Sequence, residues 1–466
     1  MAQFEISGGV SPRCIADYFT DCAARGQEIR SLLIEKGGRL LVRASAAPYD
    51  CSDVRENYSV SKSLTTLAVG MLIGDGAFTL DDRIAVLLED RVPNDADPRF
   101  AELSVRHLLS MQTGHDTDAM AKMSRAEDAF AVFCRHKIVH DPGRVFRYNT
   151  GASCALGCLV ERYAKMPLFD FLTERLFFPL GITAVRENRT ADGSAEGGIG
   201  FHLCADDLLK IGRLLLHNGT WEGKQLVPAW YLAQAGTKQA STAGLWDNLD
   251  SAIGYGFHFW MNSAGGFRAD GSLGQYILVF PAQDTVAVLC AESQDVQIEL
   301  DGIYALLSSL TEGEVQSAEA PCYLPLPKGE ITPRRALYRL SENVFGQTRL
   351  TLLADGDAVR LVFSDGIRTQ ELRAGVGSWQ ESGLCMPYLK PKLCHVMVTE
   401  RSEPIRISAC ACQEADGSIR LLLRHRTVPQ REEWVLRFTD GELSVTSVSE
   451  EPLRADAHLF KGVRVG

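Results

Sequence analysis

What this sequence is short of narrows its function first. No run of apolar residues reaches the roughly 18 needed to span a membrane, so no transmembrane helix is expected. Positive charge is in deficit: 48 Lys and Arg stand against 59 Asp and Glu, a net charge of −11. Nucleic acid and anionic membrane are therefore excluded as expected partners. The opening Met1-Ala2-Gln3-Phe4-Glu5-Ile6-Ser7 has neither a basic stretch nor an apolar core, and no signal peptide is read there. The 13 cysteines are odd in number, scattered and mostly in apolar settings, as at Cys154, Cys158, Cys204 and Cys290. They read as reduced core thiols of a cytoplasmic protein. Metal-binding patterns are missing too. His136 and His140 stand four apart, but no Glu lies beside His136 and no third ligand is apparent. Cys410-Ala411-Cys412 has no second cysteine pair at metal spacing. Gly197, Gly198 and Gly200 follow no strand-to-helix phosphate pattern and read as a flexible loop ahead of a helix starting at Ala205. No metal and no organic cofactor is expected.

What is present is an ordinary globular composition, 45% hydrophobic and 23% charged over 466 residues, enough for a large core without disulfides or metal. Ser11 to Ala24 has helical periodicity behind a Ser-Pro start. Ile29 to Val42 reads as two strands around the turn Lys36-Gly37-Gly38. Helices are expected at Leu64–Ile73, Ser104–Met111, Ala126–His136, Ala152–Ala164, Leu168–Leu176, Ala205–His217 and Val296–Leu310. Strands are expected at Tyr255–Trp260, Phe267–Ala269, Gln275–Phe280 and Thr285–Ala291. Tyr255, Phe257 and Trp260 read as core more readily than as a pocket wall. Pro321, Pro325 and Pro327 fall in an aperiodic stretch that reads as a linker. Beyond it Asp355-Gly356, Asp365-Gly366, Asp416-Gly417 and Asp440-Gly441 punctuate apolar runs as hairpin turns do, and a β barrel or sandwich is expected. The organisation is thus residues 1–311, a linker over 312–329, and an all-β domain over 330–466.

One stretch carries chemistry. Asn57-Tyr58-Ser59-Val60-Ser61-Lys62-Ser63-Leu64 opens an apolar helical run. Three residues apart, Ser59 and Lys62 share a helix face, where free backbone N–H groups and the positive end of the dipole meet. A lysine whose charge is disfavoured by burial can take a serine proton, and the helix start can help hold an oxyanion. The same spacing also fits an N-cap serine followed by an exposed lysine.

Two further stretches join it. Pro142-Gly143-Arg144-Val145-Phe146-Arg147-Tyr148-Asn149-Thr150-Gly151 contains a Tyr-x-Thr. Arg268-Ala269-Asp270-Gly271-Ser272-Leu273-Gly274-Gln275 follows far downstream. With Leu80-Asp81-Asp82 and Val105-Arg106-His107-Leu108-Leu109-Ser110-Met111-Gln112-Thr113-Gly114-His115, these motifs resemble, in order, the serine β-lactamase and penicillin-binding-protein superfamily. The likeness is strongest to its class C-like branch of esterases, D-amino-acid peptidases and nylon-oligomer hydrolases. It runs from about Ile29 to Leu310. The resemblance implies an α/β (α+β) fold with an antiparallel sheet flanked by helices and a helical subdomain.

The resemblance also assigns roles. Ser59 is the nucleophile, Lys62 its base, and Tyr148 the second proton carrier. Thr150 stands where the family's second motif carries Asn or Ser, with Asn149 beside it. Gly271 keeps the glycine of the third motif, and the Ser272 N–H joins that of Ser59 in an oxyanion hole. Ala269 replaces the family's lysine or histidine. The neighbouring Asp270 would meet a substrate carboxylate with like charge. The expected function is hydrolysis of a small ester or amide through an acyl-Ser59 intermediate. The alternative is a catalytically silent binding or sensor protein on the same fold, suggested by Ala269 and Thr150.

Overall fold

The computed structural model describes residues 3–6, 11–194, 196–310, 326–327, 329–343, 345–384, 405–448 and 457–465. The chain divides into two compact units, Ala2–Tyr323 and Leu324–Gly466. The stretch read as a linker, 312–329, lies outside the described residues except for Leu326, Pro327 and Gly329.

The first unit is built on a seven-stranded antiparallel sheet. Its strands are β1 (Gln3–Ile6), β2 (Glu28–Lys36), β3 (Arg39–Ser45), β4 (Trp260–Met261), β5 (Phe267–Gly271), β6 (Gln275–Phe280) and β7 (Thr285–Glu292), in the order β1-β3-β2-β7-β6-β5-β4. Gly37 and Gly38 turn β2 into β3 with φ of +58° and +71°, a conformation that β-carbons resist. The five longest helices among the described residues are α1 (Pro12–Ala24), α2 (Val60–Gly74), α3 (Thr150–Ala164), α4 (Ala205–Leu216) and α5 (Val296–Ser308). Side chains alternate across a strand, and the sheet uses both faces. Tyr276, Leu278, Phe280, Ala287 and Leu289 join Ile15, Phe19, Leu300 and Ile303 of α1 and α5 in one buried cluster. Ile277 and Val286 turn the other way, and Gly212 of α4 lies so close to Val286 that a methyl group there would overlap it. From Val60 to Ile73 every residue of α2 is buried, the polar Ser61, Lys62, Ser63, Thr65 and Thr66 of its first turns included.

The expected strand Tyr255–Trp260 is the main departure. Only Trp260–Met261 pairs as a strand. The Gly256 N–H instead closes a turn on the Phe259 carbonyl at 2.7 Å, and His258 takes φ +61°. The alternating aromatics that suggest a strand serve here to pack a turn.

The second unit is all-β. Its strands are β8 (Arg334–Leu340), β9 (Arg349–Asp355), β10 (Ala358–Ser364), β11 (Thr369–Val376), β12 (Gln380–Leu384), β13 (Ile405–Gln413), β14 (Ile419–His425), β15 (Arg431–Thr439), β16 (Glu442–Val448) and β17 (Ala457–Arg464). The order is β11-β10-β9-β8-β17-β16-β15-β14-β13-β12, and a short parallel pairing of β11 with β13 at Gly375 and Cys410 makes it barrel-like. All four Asp-Gly signals fall between paired strands. Leu350, Leu352, Leu361, Phe363, Leu421, Trp434 and Phe460 belong to a core of its own.

Candidate active site

Ser59 is the N-cap residue of α2, yet its hydroxyl makes no capping bond to the helix. The oxygen is left for other partners. Lys62 Nζ donates to it at 3.0 Å, and a hydrogen bond with Ser59 also acts on the Tyr148 phenol. Lys62 is 1% exposed, which removes the reading of a solvated lysine one turn into a helix. Its nitrogen also lies 4.8 Å from the centre of the Tyr148 ring. Burial pushes the Tyr148 phenol above its ordinary range, with the bond to Ser59 pulling the other way. Tyr148 thus keeps its proton near neutrality. Just ahead of the serine, Tyr58 is buried with φ +48°, a left-handed conformation that costs energy in a non-glycine residue.

The second motif is only partly engaged. Tyr148 reaches Ser59, but the Asn149 side chain turns away and its Nδ2 pairs with His115 Nδ1 at 3.2 Å. Asn149 is fully buried. Thr150 begins α3, where Asp118 accepts from the N–H groups of Thr150 and Gly151 at 2.7 and 3.1 Å. Acidic capping at this positive helix end is favourable. The Thr150 methyl faces Gly198, whose added Cβ would stand 2.5 Å from it. This close approach matters because the Gly198 carbonyl accepts the second hydrogen bond of Lys62 Nζ at 2.8 Å. Next to it the Gly197 carbonyl accepts from Thr65 Oγ1 at 2.6 Å, and the Phe201 N–H donates to Ser61 Oγ at 3.0 Å. The glycines read as a flexible loop are therefore a strap tied at three points to α2.

The third motif arrives from the sheet. Gly271 ends β5 directly against the Asn57 carbonyl, so close that a β-carbon would overlap it. Ser272 follows as an exposed turn residue. Asp270 is not a bare charge: Arg268 Nε donates to its Oδ2 at 2.8 Å. Burial raises the Asp270 carboxyl, and Arg268 opposes that rise. Arg268 is itself fully buried and also donates to the Met261 carbonyl and Asn262 Oδ1. Beside this strand the rings of Phe146, Tyr148, Trp246, Tyr255 and Trp260 form one cluster. Tyr148 stacks on Trp260 at 5.9 Å, and Trp246 stands edge-on to Trp260 at 5.2 Å. Trp246 is 39% exposed, so these aromatics supply a wall beside Tyr148 as well as core.

The sequence reading missed His258 and took Gly198 only for part of a flexible loop. His258 is buried between α2 and α3. Its Nδ1 lies 2.9 Å from the Lys62 carbonyl and its Nε2 3.3 Å from Ser153 Oγ. A carbonyl can only accept, so Nδ1 carries the proton and Nε2 accepts from Ser153. Burial holds the His258 pKa down at about 3, and the ring stays neutral as a strut between the helices. A backbone kink with φ +61° leaves no mark in a strand-like pattern of aromatics. His136 and His140 do not converge: they pair separately with Thr117 and Asp116. Among the described residues no group of three or more His, Cys, Asp or Glu is placed to hold a metal ion.

The sheet and its flanking helices form a β-lactamase-like fold, and the chain carries an all-β unit besides. A model of the beta-lactamase family matches residues 23–307, and the protein belongs to that family. The chain is 27% identical over 251 residues to lovastatin esterase of Penicillium rubens, a match covering 41% of this chain and 62% of that protein's length. It is 24% identical over 284 residues to 6-aminohexanoate-dimer hydrolase of Paenarthrobacter ureafaciens, covering 55% and 71%. Penicillin-binding protein 4 of Amycolatopsis lactamdurans matches at 24% over 294 residues, covering 55% and 77%. An octameric penicillin-binding protein homologue from Pyrococcus abyssi shares the fold with a TM-score of 0.53 at 16% identity, over 96% of this chain and 99% of that one. Two of these relatives are named as an esterase and as a hydrolase.

Proposed function

We propose that this protein is a serine hydrolase that cleaves a small ester or amide through an acyl-Ser59 intermediate. The observation that carries the reading is Lys62 Nζ, fully buried, 3.0 Å from Ser59 Oγ. In its uncharged form the Lys62 amine accepts the serine proton as Oγ attacks the substrate carbonyl, and becomes the ammonium. Tyr148, which holds its own proton near neutrality, is suited to donate to the leaving group. The donors assigned to the oxyanion are the Ser59 N–H, at the start of α2, and the Ser272 N–H, beside Gly271. Water then attacks the acyl carbon, gives its proton back through the same groups, and releases the acid.

The setting supports an uncharged, partly apolar substrate. Ala269 stands in place of the family's cation, Arg268 is committed to Asp270, and the aromatic wall ends in the half-exposed Trp246. We also infer a reducing, cytoplasmic location, supported by ten free cysteines among the described residues, nine of them buried. Among the described residues no helix is long and apolar enough to cross a membrane. A screen of paired small esters, D-amino amides and β-lactams, with mass detection of the acyl-enzyme, tests the reading. Turnover without any adduct on Ser59 contradicts it.

A further inference from the structure

The turn that carries Ser272 rests on a cluster of ionisable groups that acyl transfer does not use. Glu299, in the first turn of α5, is fully buried. Its Oε2 accepts from the Tyr276 hydroxyl at 3.0 Å. Tyr276 lies opposite Asp270 in the β5–β6 pair. Above the carboxyl sits Gly274, where an added β-carbon would overlap Oε1 and stand 2.8 Å from Oε2. Leu273 and Gly274 take φ of +62° and +81°, and Gln275 Nε2 ties down the Leu273 carbonyl at 2.9 Å. Glu299 is therefore the floor of a left-handed turn one residue from the proposed oxyanion donor.

Charge balance around this floor is uneven. Arg268 serves Asp270 at 2.8 Å and stands 3.9 Å from Asp250, so one guanidinium faces two other carboxyls. The remaining groups that bear on Glu299 are Tyr276 from β6, Ser293 and Asp295 ahead of α5, Asp270 from β5, and Tyr18 and Cys22 from α1. Arg25, at the C-cap of α1, bears on Cys22. Burial lifts the Glu299 carboxyl to about 8, against hydrogen bonds from Tyr276 and Ser293 and with help from the charges of Asp270 and Asp295. At neutral pH the group is a neutral acid. Losing its proton to solvent leaves a buried anion without a matching cation, which must draw on nearby donors or open to water.

We propose that Glu299 is a positioning residue for acyl transfer: its neutral carboxyl supports the Ser272–Gly274 turn, and ionisation displaces that turn and the Ser272 N–H with it. The proposal rests on the reading of Ser59 as nucleophile. Two measurements on the full chain separate the two. The first is the rate of fluorophosphonate labelling across about pH 6 to 10 for wild type, Glu299→Gln and Glu299→Ala. Wild type should lose about tenfold in rate per pH unit above about 8, as loss of one essential proton requires. Glu299→Gln, neutral and nearly isosteric, should label within about threefold of wild type near neutrality and move the alkaline limb up by at least about one unit. Glu299→Ala should be slow at every pH. An unchanged limb in Glu299→Gln overturns the proposal, as does equal behaviour of Gln and Ala near neutrality.

The second measurement is unfolding stability against pH. The folded carboxyl sits above its unfolded value of 4.5, so its contribution is complete below that value and lost as pH rises through about 8. Wild type should lose stability relative to Glu299→Gln over that window, and parallel curves also overturn the proposal. If wild type shows no Ser59 labelling at any pH, the nucleophile reading fails, and this second comparison still decides whether Glu299 is held as a buried acid.

Discussion

The carbonyl oxygen of Gly198 lies 2.8 Å from Lys62 Nζ. It gives the lysine a second fixed contact besides the one to Ser59 Oγ at 3.0 Å. Thr150, proposed to stand at the family's second-motif Asn or Ser, packs its methyl against Gly198. A backbone carbonyl thus anchors the lysine beside a residue that offers it no amide.

Gly198→Ala tests this strap. The new methyl would stand 2.5 Å from Thr150 Cγ2, and overpacking of this kind costs about 1–3 kcal/mol. The expected outcome is a modest fall in melting temperature with at least about a tenfold fall in kcat, because a base moved by a fraction of an ångström transfers protons poorly. Steady-state kinetics and thermal melts on the same preparation check it. Loss of stability with kcat unchanged would make the strap purely structural.

Lys62 and Tyr148 should behave as one relay. Lys62→Ala and Tyr148→Phe are each expected to lower the acylation rate by at least about a hundredfold, the ordinary scale for loss of a general acid or base. The double variant should be little worse than the worse single one. Multiplicative losses in stopped-flow acylation would show two independent groups.

Much of this was legible in the sequence because it is local. Ser59 and Lys62 are one helical turn apart, Tyr148 sits in a contiguous motif, and glycine pairs mark their hairpins. What was not legible depends on chain segments meeting in space. Gly198 and Lys62 are 136 residues apart, and His258 and Lys62 are 196 apart. The Gly197-Gly198 pair looked like freedom in the chain, whereas the structure uses its lack of side chains for close approach to Thr65 and Thr150. Asp270 looked like an unopposed charge because an i, i+2 pair with Arg268 forms only on a strand, where both side chains fall on one face.

Acid should weaken the fold through His258. Its folded pKa of about 3 lies below the ordinary 6.5, so its contribution is complete above about pH 6.5 and lost as pH falls toward 3. His115, held down at about 4 chiefly by burial, acts in the same direction. Each proton taken up on unfolding costs up to about 1.4 kcal/mol per pH unit. Urea unfolding at several pH values between 7 and 5 should show this slope, and His258→Asn should remove close to one proton's share. A slope identical in the variant would contradict the burial of a neutral ring.

The two units carry separate hydrophobic cores. A chain ending near residue 313 is expected to fold and to label at Ser59, judged by solubility, a cooperative melt and labelling rate. Insoluble protein from that chain would contradict independent folding.

The most direct measurement is the mass of the protein after reaction with a fluorophosphonate, with the modified peptide sequenced. The account predicts one adduct, on Ser59, absent in Ser59→Ala and slowed at least about a hundredfold in Lys62→Ala. Labelling at another residue, or ester turnover undiminished in Ser59→Ala, would contradict it.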